Sequence, residues 1–252
     1  MLRIDNAEAV HAARRCRRPC ADPILVQPVA RGKAPRPMLS DTVFFMCSHY
    51  RAIKERERFY RLFGIYPPDP DGKYDIWPGY TGVLVRRPRA HDGLEAVPGR
   101  FGLLPHWAKD EKLARHTFNA RSESVHEKPS FRAAWRQGQH CIIGVDSIYE
   151  PDWRSAKAVA TRIERADGEP MGLAGLWSWW QSPAGDAVYS FTLLTINADD
   201  HALMRHMHKP GEEKRMVVIL PEGAFSDWLD ASPRDSMDFM RQFSADLLQS
   251  SV

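Results

Sequence analysis

The sequence predicts an α+β fold: a single domain built on a curved, barrel-like, mainly antiparallel β-sheet with flanking helices. Three observations lead to this prediction. Segments with strand character dominate the middle of the chain, helical segments are interspersed without regular βαβ alternation, and short stretches of Gly, Pro and Asp separate them. A chain of 252 residues, 43% of them hydrophobic, can also bury one sizeable core.

The first element that the pattern defines is a short helix. Pro129 and Ser130 precede FRAAWRQ, which places a proline near the first turn of a helix that Gly138 ends. The stretch CIIGVDSIYE, residues 141–150, follows it and predicts a strand. This strand therefore ends in the carboxylate of Glu150.

The later elements continue the mixture of strands and helices. Residues 158–180 predict two strands joined at Asp167-Gly168, a pair that favours a hairpin turn. The remaining segments predict a strand at 188–196, a helix at 199–207, a strand at 215–221 and a helix at 221–231 that begins at Pro221.

The first 45 residues differ from the rest in composition. They are rich in Arg, Ala and Pro, lack sustained periodicity, and carry eight Lys and Arg against four Asp and Glu, a net charge of +4. The remaining residues hold 27 basic and 28 acidic side chains, a net charge of −1. A nucleic-acid surface on the core therefore has to be a local patch. The basic segment is a transit peptide, an interaction arm or upstream sequence read from an early start codon, and we favour the last.

Cysteine usage predicts the compartment. Four cysteines are too few for a disulfide scaffold in a chain of this length, and no apolar segment marks a secretory signal or a membrane span. We therefore expect a cytoplasmic protein, nucleoid-associated in a bacterium, that does not contact a membrane. Cys16 and Cys20 lack a second pair at ligand spacing, so neither a metal nor another cofactor is expected.

Several short motifs carry chemically useful side chains. The patterns GxxxxGK[ST], GxGxxG, HExxH and GxSxG do not occur, so nucleotide-binding, zincin and α/β-hydrolase classes lack their usual signals. Each of the motifs that does occur has an ordinary structural explanation when taken alone, but together they place Cys, Asn, Glu and His near the ends of predicted strands. The motifs are Met46-Cys47, FGLLPHW at 101–107, FNARSE at 118–123, IYE at 148–150 and HKPGEEKRMVVIL at 208–220.

This ordered set resembles the SOS response-associated peptidase (SRAP) family, also called abasic site processing proteins. The resemblance covers roughly Met46 to Ala231 and implies one SRAP-like catalytic domain at 47–252, preceded by a leader at 1–46 that is absent from the mature protein. It implies a DNA-damage protein whose exposed N-terminal cysteine joins covalently to the sugar of an abasic site in single-stranded DNA.

The resemblance also assigns roles to individual residues. It implies that Cys47 is the nucleophile, Asn119 its orienting partner, Glu150 the acid and base, and His208 a further catalytic group. It places Arg121 and the aromatic Trp107 along the DNA strand. Arg215 is a further candidate for a phosphate contact, and we expect little sequence preference.

The chain departs from the family pattern at several motif positions. His49 stands where many members have an arginine, which puts a phosphate contact there in doubt. Phe101 replaces the tryptophan of the usual WGLIP, and Pro151 follows Glu150 where a tryptophan is common. Six residues separate His208 from Arg215, and His206 remains a second candidate for the catalytic histidine.

The chemistry of an N-terminal cysteine fits this assignment. An α-amino group with a pKa of roughly 7.7–8 is substantially unprotonated near neutrality and can form an imine with the open-chain aldehyde of an abasic sugar. The thiol of the same residue can then close a five-membered thiazolidine, since both groups are held together. Imine formation also allows a weak lyase activity by β-elimination.

Two other classes of function stay open at this stage. Cys47 and His208 could serve a thiol peptidase or amidohydrolase, and the family description allows self-processing by such an activity. A non-catalytic binder of single-stranded DNA is the third hypothesis. Partners other than DNA and the oligomeric state cannot be read from the sequence, and a monomer is favoured.

Overall fold

The computed structural model describes residues 48–68, 73–88, 93–155 and 157–252, and a closed β-barrel organises them. The described residues contain twelve strands and three α-helices: β1 (His49–Ala52), α1 (Arg56–Phe63), β2 (Asp75–Ile76), β3 (Thr81–Arg86), β4 (Glu95–Phe101), β5 (Asn119–Arg121), α2 (Arg132–Arg136), β6 (His140–Asp152), β7 (Val159–Arg165), β8 (Met171–Gln181), β9 (Ala187–Asn197), β10 (Arg215–Val217), β11 (Ile219–Leu220), α3 (Phe225–Asp230) and β12 (Leu248–Ser251).

Five strands close the barrel. They run in the order β8, β9, β4, β3, β6, and β6 pairs again with β8. The pairing of β4 with β9 is parallel, as is that of β5 with β9, while the other pairs are antiparallel. Stacked rings of Phe101 and Phe191, 5.4 Å apart and both fully buried, fill part of the interior. The prediction of an α+β fold on a mainly antiparallel, barrel-like sheet is confirmed.

The long strand β6 decides how its neighbours pair. Its 13 residues pair with four strands: 140–145 pair with β8, 148–152 pair with β7, and β1 and β3 also pair with it. Strands do form on both sides of Asp167-Gly168, and Gly168 adopts the positive φ of 75° that such a turn requires. The predicted hairpin is nevertheless wrong, because β7 and β8 pair with β6 rather than with each other.

The predictions for the helices and the last strands are confirmed in part. The predicted helix at 131–137 is α2, and the one at 221–231 is a 3₁₀ turn followed by α3. The predicted strand at 215–221 is split at Val218 into β10 and β11. The predicted helix at 199–207 is wrong, since only 204–206 form a 3₁₀ turn. There the Nδ1 of His201 accepts hydrogen bonds from the backbone N–H groups of Leu203 and Met204, and side-chain acceptors of this kind compete with a regular helix.

Gly102 fixes the segment FGLLPHW against the barrel. Its φ is 119°, and a Cβ atom there would lie 2.0 Å from the carbonyl oxygen of Ala114. Its N–H donates to the carbonyl of Phe191, and the N–H of Leu103 donates to that of Thr117. This close approach, possible only for glycine, brings the segment beside the residues that lead into β5.

No helix within the described part of the chain is long and apolar enough to cross a membrane. The predicted boundary between a leader at 1–46 and a domain at 47–252 falls outside the described residues. It stays a prediction.

Candidate active site

Glu150 lies near the end of β6, paired with Thr161 of β7, and is 1% exposed. Because side chains alternate along a strand, Glu150 points to the opposite face from Tyr149, which is half-buried. A buried carboxylate is unusual and needs partners that satisfy it.

His208 supplies one such partner. Its Nε2 lies 3.2 Å from the Oε2 of Glu150, and it is itself 4% exposed. A proton can pass between two groups at this separation. The structure thus brings together two of the four catalytic residues that the sequence predicts, although 58 positions separate them in the chain.

The backbone holds His208 in this position. Its φ is 65°, and among the described residues it is the one non-glycine with a positive φ. Its N–H donates to the carbonyl of Pro151, the N–H of Trp153 donates to the carbonyl of His206, and Asp152 forms an isolated bridge with Met207. Conformations of this kind cost about 1–3 kcal/mol and cluster at functional sites. The segment 206–208 is therefore fastened along the end of β6.

His206 is placed differently. It is half-buried, and its Nε2 lies 3.4 Å from the Nε of the neighbouring Arg205. Since the Nε2 of His208 faces the carboxylate of Glu150, the geometry favours His208 over His206 as the histidine of this site.

Asn119 and Arg121 lie at the two ends of β5. This strand pairs in parallel with β9, and burial alternates along it: Asn119 is half-buried, Ala120 is fully buried and Arg121 is exposed. The Nη1 of Arg121 lies 2.9 Å from the Oε2 of Glu213, with 54% of the arginine side chain exposed. Arg121 is accordingly accessible to an anionic ligand, and its surface ion pair is weak enough to exchange.

Arg215, a candidate for a phosphate contact in the sequence, is buried in the structure. Its side chain is 1% exposed and forms a two-pronged pair with Glu123, at 3.1 and 2.8 Å. It also donates to Glu213 at 2.6 Å and to the carbonyl of Thr195 at 2.8 Å. Burial acts to raise the pKa of Glu123, but hydrogen bonds and charge from Arg215 outweigh it and lower that pKa. Every prong of the buried guanidinium is occupied, so Arg215 ties β10 to the NARSE segment and has no accessible donor left for the predicted phosphate contact.

Trp107 is 47% exposed at the end of the FGLLPHW segment. The loop that carries it is anchored by Trp180, whose Nε1 donates to the carbonyl of Ala108 at 2.7 Å. Trp177 is also buried, whereas Trp179 is 54% exposed. Two of the three tryptophans of WSWW therefore serve packing, and Trp107 remains available on the surface.

Cys47 lies outside the described residues. The described residues begin at position 48, and β1 begins at His49. Its predicted role as nucleophile stays a prediction. Within the part of the chain that the structure covers, no three His, Cys, Asp or Glu side chains converge in a way that could hold a metal ion.

Comparison with protein families supplies the deciding observation. The model of the family described as SOS response associated peptidase (SRAP) matches residues 46–251, which is most of the chain. The chain belongs to the SRAP family.

Curated relatives of this SRAP chain carry a common name. It is 31% identical over 195 residues to the abasic site processing protein YoqW of Bacillus subtilis, covering 75% of this chain and 83% of the relative. It is 32% identical over 211 residues to the abasic site processing protein YoaM of the same organism, covering 80% and 88%. The mouse abasic site processing protein HMCES is 28% identical over 166 residues, and the match spans 53% of this chain and 44% of HMCES.

Solved structures show the same SRAP architecture. A protein of Bordetella bronchiseptica, 49% identical, superposes with a TM-score of 0.75 over 81% of this chain and 98% of its own. A protein of Bacteroides thetaiotaomicron, 19% identical, superposes with a TM-score of 0.68 over 81% of this chain and 90% of its own, which supports the fold alone.

A basic groove beside His208 was missed from the sequence. This cavity of the SRAP domain has a volume of about 290 Å³ and is lined in part by Arg154, Arg205, His206 and Lys214. Arg154 is paired with Asp152, while the Nζ of Lys214 donates to the carbonyl of Lys209 at 2.6 Å. The loop between His208 and Arg215 forms one wall, so the long spacing noted in the sequence builds a cationic surface next to the Glu150–His208 pair.

Proposed function

We propose that this protein captures abasic sites in single-stranded DNA covalently through Cys47, acting as a monomer in the cytoplasm. The observation that carries the proposal is the buried Glu150–His208 pair, 3.2 Å apart, at the end of the strand that pairs with β1. The names of the curated relatives, abasic site processing proteins, support the same class of substrate.

The course of β1 makes Cys47 a suitable nucleophile for this site. His49 pairs directly with Tyr149, the residue before Glu150. Cys47 precedes His49 by two residues in the chain, and two residues of extended chain span at most about 7 Å. This tether supports a reaction in which Glu150 acts on the amine and thiol of Cys47.

The proposed reaction proceeds in two steps. The free α-amine of Cys47 adds to the C1′ aldehyde of the ring-opened abasic sugar, and loss of one water gives an imine. The thiol then adds to the imine carbon, with its proton passing to the nitrogen, and closes a thiazolidine. An amide nitrogen cannot form the imine, so the mature protein has to begin at Cys47, with the leader at 1–46 removed or never translated.

The buried pair supplies the proton transfers. Glu150 delivers a proton to the departing hydroxyl of the first adduct and recovers one from the nitrogen as the imine forms. When the ring closes, it relays the thiol proton to that nitrogen. His208 exchanges protons with Glu150 across the 3.2 Å contact. Asn119, which does not titrate, orients the cysteine amine or the sugar oxygen. Abstraction of a C2′ proton from the imine would lead to β-elimination, a weak lyase activity of the same site.

The DNA path follows the exposed cations and rings. Arg121 contacts a phosphate, the basic groove at Arg205 and Lys214 contacts others, and Trp107 stacks on a base. These contacts recognise the backbone and any base, so we expect little sequence preference.

Capture is tested with protein that begins at Cys47, incubated with single-stranded DNA carrying one abasic site and separated on a denaturing gel. We expect a heat-stable shifted band that Cys47→Ala abolishes. Cys141→Ala is the matched control, because Cys141 is fully buried and burial raises the pKa of its thiol well above the usual value. It should leave the band unchanged.

The same assay separates the competing functions. No band from wild-type protein with a verified Cys47 N-terminus would contradict covalent capture. Turnover of a peptide substrate without DNA would instead identify a thiol hydrolase, and a salt-sensitive shift confined to native gels a non-catalytic binder. The full 252-residue chain with Met1 retained should give no band, because its Cys47 nitrogen is an amide.

A further inference from the structure

Three aromatic rings are stacked in a row beside the candidate active site. The ring centroids of Trp77 and His49 are 4.1 Å apart with an angle of 9° between their planes. Those of His49 and Tyr149 are 4.2 Å apart at 12°. Rings within a protein more often meet edge to face or offset, so two successive near-parallel contacts are a specific arrangement.

The sheet register produces this row. His49 of β1 is directly opposite Tyr149 of β6. On the other side of β1, Tyr50 is opposite Ile76, so the next residue, Trp77, comes beside His49. The three side chains thus occupy one line across three neighbouring strands and the same face of the sheet.

The middle ring is held in place and carries no charge near neutrality. The Nε2 of His49 lies 3.2 Å from the Oδ1 of Asp75, which fixes the plane of the imidazole. Burial lowers the pKa of His49 from its usual value, and this outweighs the hydrogen bond and charge of Asp75, which act to raise it.

The outer ring is the accessible one. Trp77 is 40% exposed, and His49 stacks on one face of its ring. An indole backed by two parallel rings loses little conformational freedom when a further planar group stacks on it. Core packing does not account for the row, since its outer member stays in solvent.

We propose that the exposed face of Trp77 is a stacking site for a nucleobase of single-stranded DNA next to the captured abasic nucleotide. The inference rests on the proposed function. His49 is two residues from Cys47 in the chain, so a strand joined to Cys47 is tethered close to the row, which lies on the face of β6 opposite to Glu150. Stacking on the indole holds a neighbouring nucleotide whatever its base, because every base offers a π-face.

The test uses protein that begins at Cys47 and DNA that it cannot capture. The probe is a fluorescent single strand with one tetrahydrofuran abasic analogue, which has no aldehyde form, flanked by thymidines. A second probe replaces the flanking thymidines with further tetrahydrofuran residues. We expect Trp77→Ala to weaken binding to the first probe five- to 150-fold, the range given by stacking on one base. Binding to the second probe should not change.

Two variants control for structure. Trp179→Ala removes a tryptophan that is 54% exposed on β8, outside the row, and should leave both affinities unchanged. Trp77→Phe keeps a flat ring and should retain most of the affinity for the first probe. Equal losses on both probes, or Trp77→Ala binding like Trp179→Ala, would overturn the stacking site.

The two proposals can fail separately. Capture is read on denaturing gels with an aldehydic abasic site, whereas stacking is read as the difference between the two analogue probes. A wild-type protein that forms no adduct but shows the Trp77-dependent difference refutes capture and supports the stacking site. An adduct formed by wild type with no such difference supports capture and refutes the stacking site.

Discussion

Glu150→Gln is expected to slow formation of the heat-stable DNA adduct by about 10²–10⁴-fold, the usual contribution of a positioned general acid and base. The substitution keeps the shape of the side chain and places its amide beside the Nε2 of His208. It removes the proton that expels water from the first adduct. Affinity for the uncapturable analogue should stay within about twofold, because that analogue has no aldehyde on which Glu150 could act.

The measurement is a single-turnover time course on denaturing gels with enzyme in excess. Glu164→Gln is the matched control, since Glu164 lies on the neighbouring strand β7 and pairs with Arg162. It should react at the wild-type rate. An adduct rate for Glu150→Gln within threefold of wild type, with the thermal midpoint unchanged, would refute the assigned role of Glu150.

Arg215→Ala is expected to lower the free energy of unfolding by roughly 2–4 kcal/mol. The substitution removes a fully buried side chain that joins Glu123, Glu213 and the carbonyl of Thr195, and it leaves a void where the guanidinium was. Glu123 and Glu213 are partly exposed, so water can hydrate them, and this keeps the cost below that of a wholly buried charge.

Arg121→Ala provides the comparison within one ion-pair network. Both arginines bind Glu213, but Arg121 is largely exposed and its loss should cost about 0–1 kcal/mol. Urea unfolding measures both values. DNA affinity should change in the opposite order, falling for Arg121→Ala and not for folded Arg215→Ala. If Arg215→Ala instead bound DNA weakly and kept full stability, the result would support the predicted phosphate contact of Arg215.

Local sequence signals were sufficient for three of the five barrel strands, β6, β8 and β9, and for the position of Glu150, whereas β3 and β4 were not predicted. The strands β6 and β9 are recognisable because they are long, apolar and bounded by polar residues, and Glu150 stands at the end of one of them. The hairpin at Asp167-Gly168 shows the limit of such signals. The turn forms as its residues require, but which strand lies beside β7 is decided by β6, which a local pattern cannot include.

The contacts between motifs were beyond sequence reasoning for the same reason. Glu123 of FNARSE and Arg215 of the last motif read as separate signals, and only the fold joins them as an ion pair. The row of Trp77, His49 and Tyr149 depends on the register of three strands from distant parts of the chain. The choice between His206 and His208 depends on which imidazole faces Glu150, and only the fold shows this.

Residues 206–208 are hydrogen-bonded along the end of β6, so the Glu150–His208 pair can form only after both residues have been synthesised. Ribosomes add about 5–20 residues per second, so His208 is made roughly 3–12 s after Glu150. During that interval a nascent chain carries its cysteine and its carboxylate but not the histidine that completes the pair. Under the proposed mechanism, the proton transfers that need both Glu150 and His208 become available only after position 208 has been synthesised.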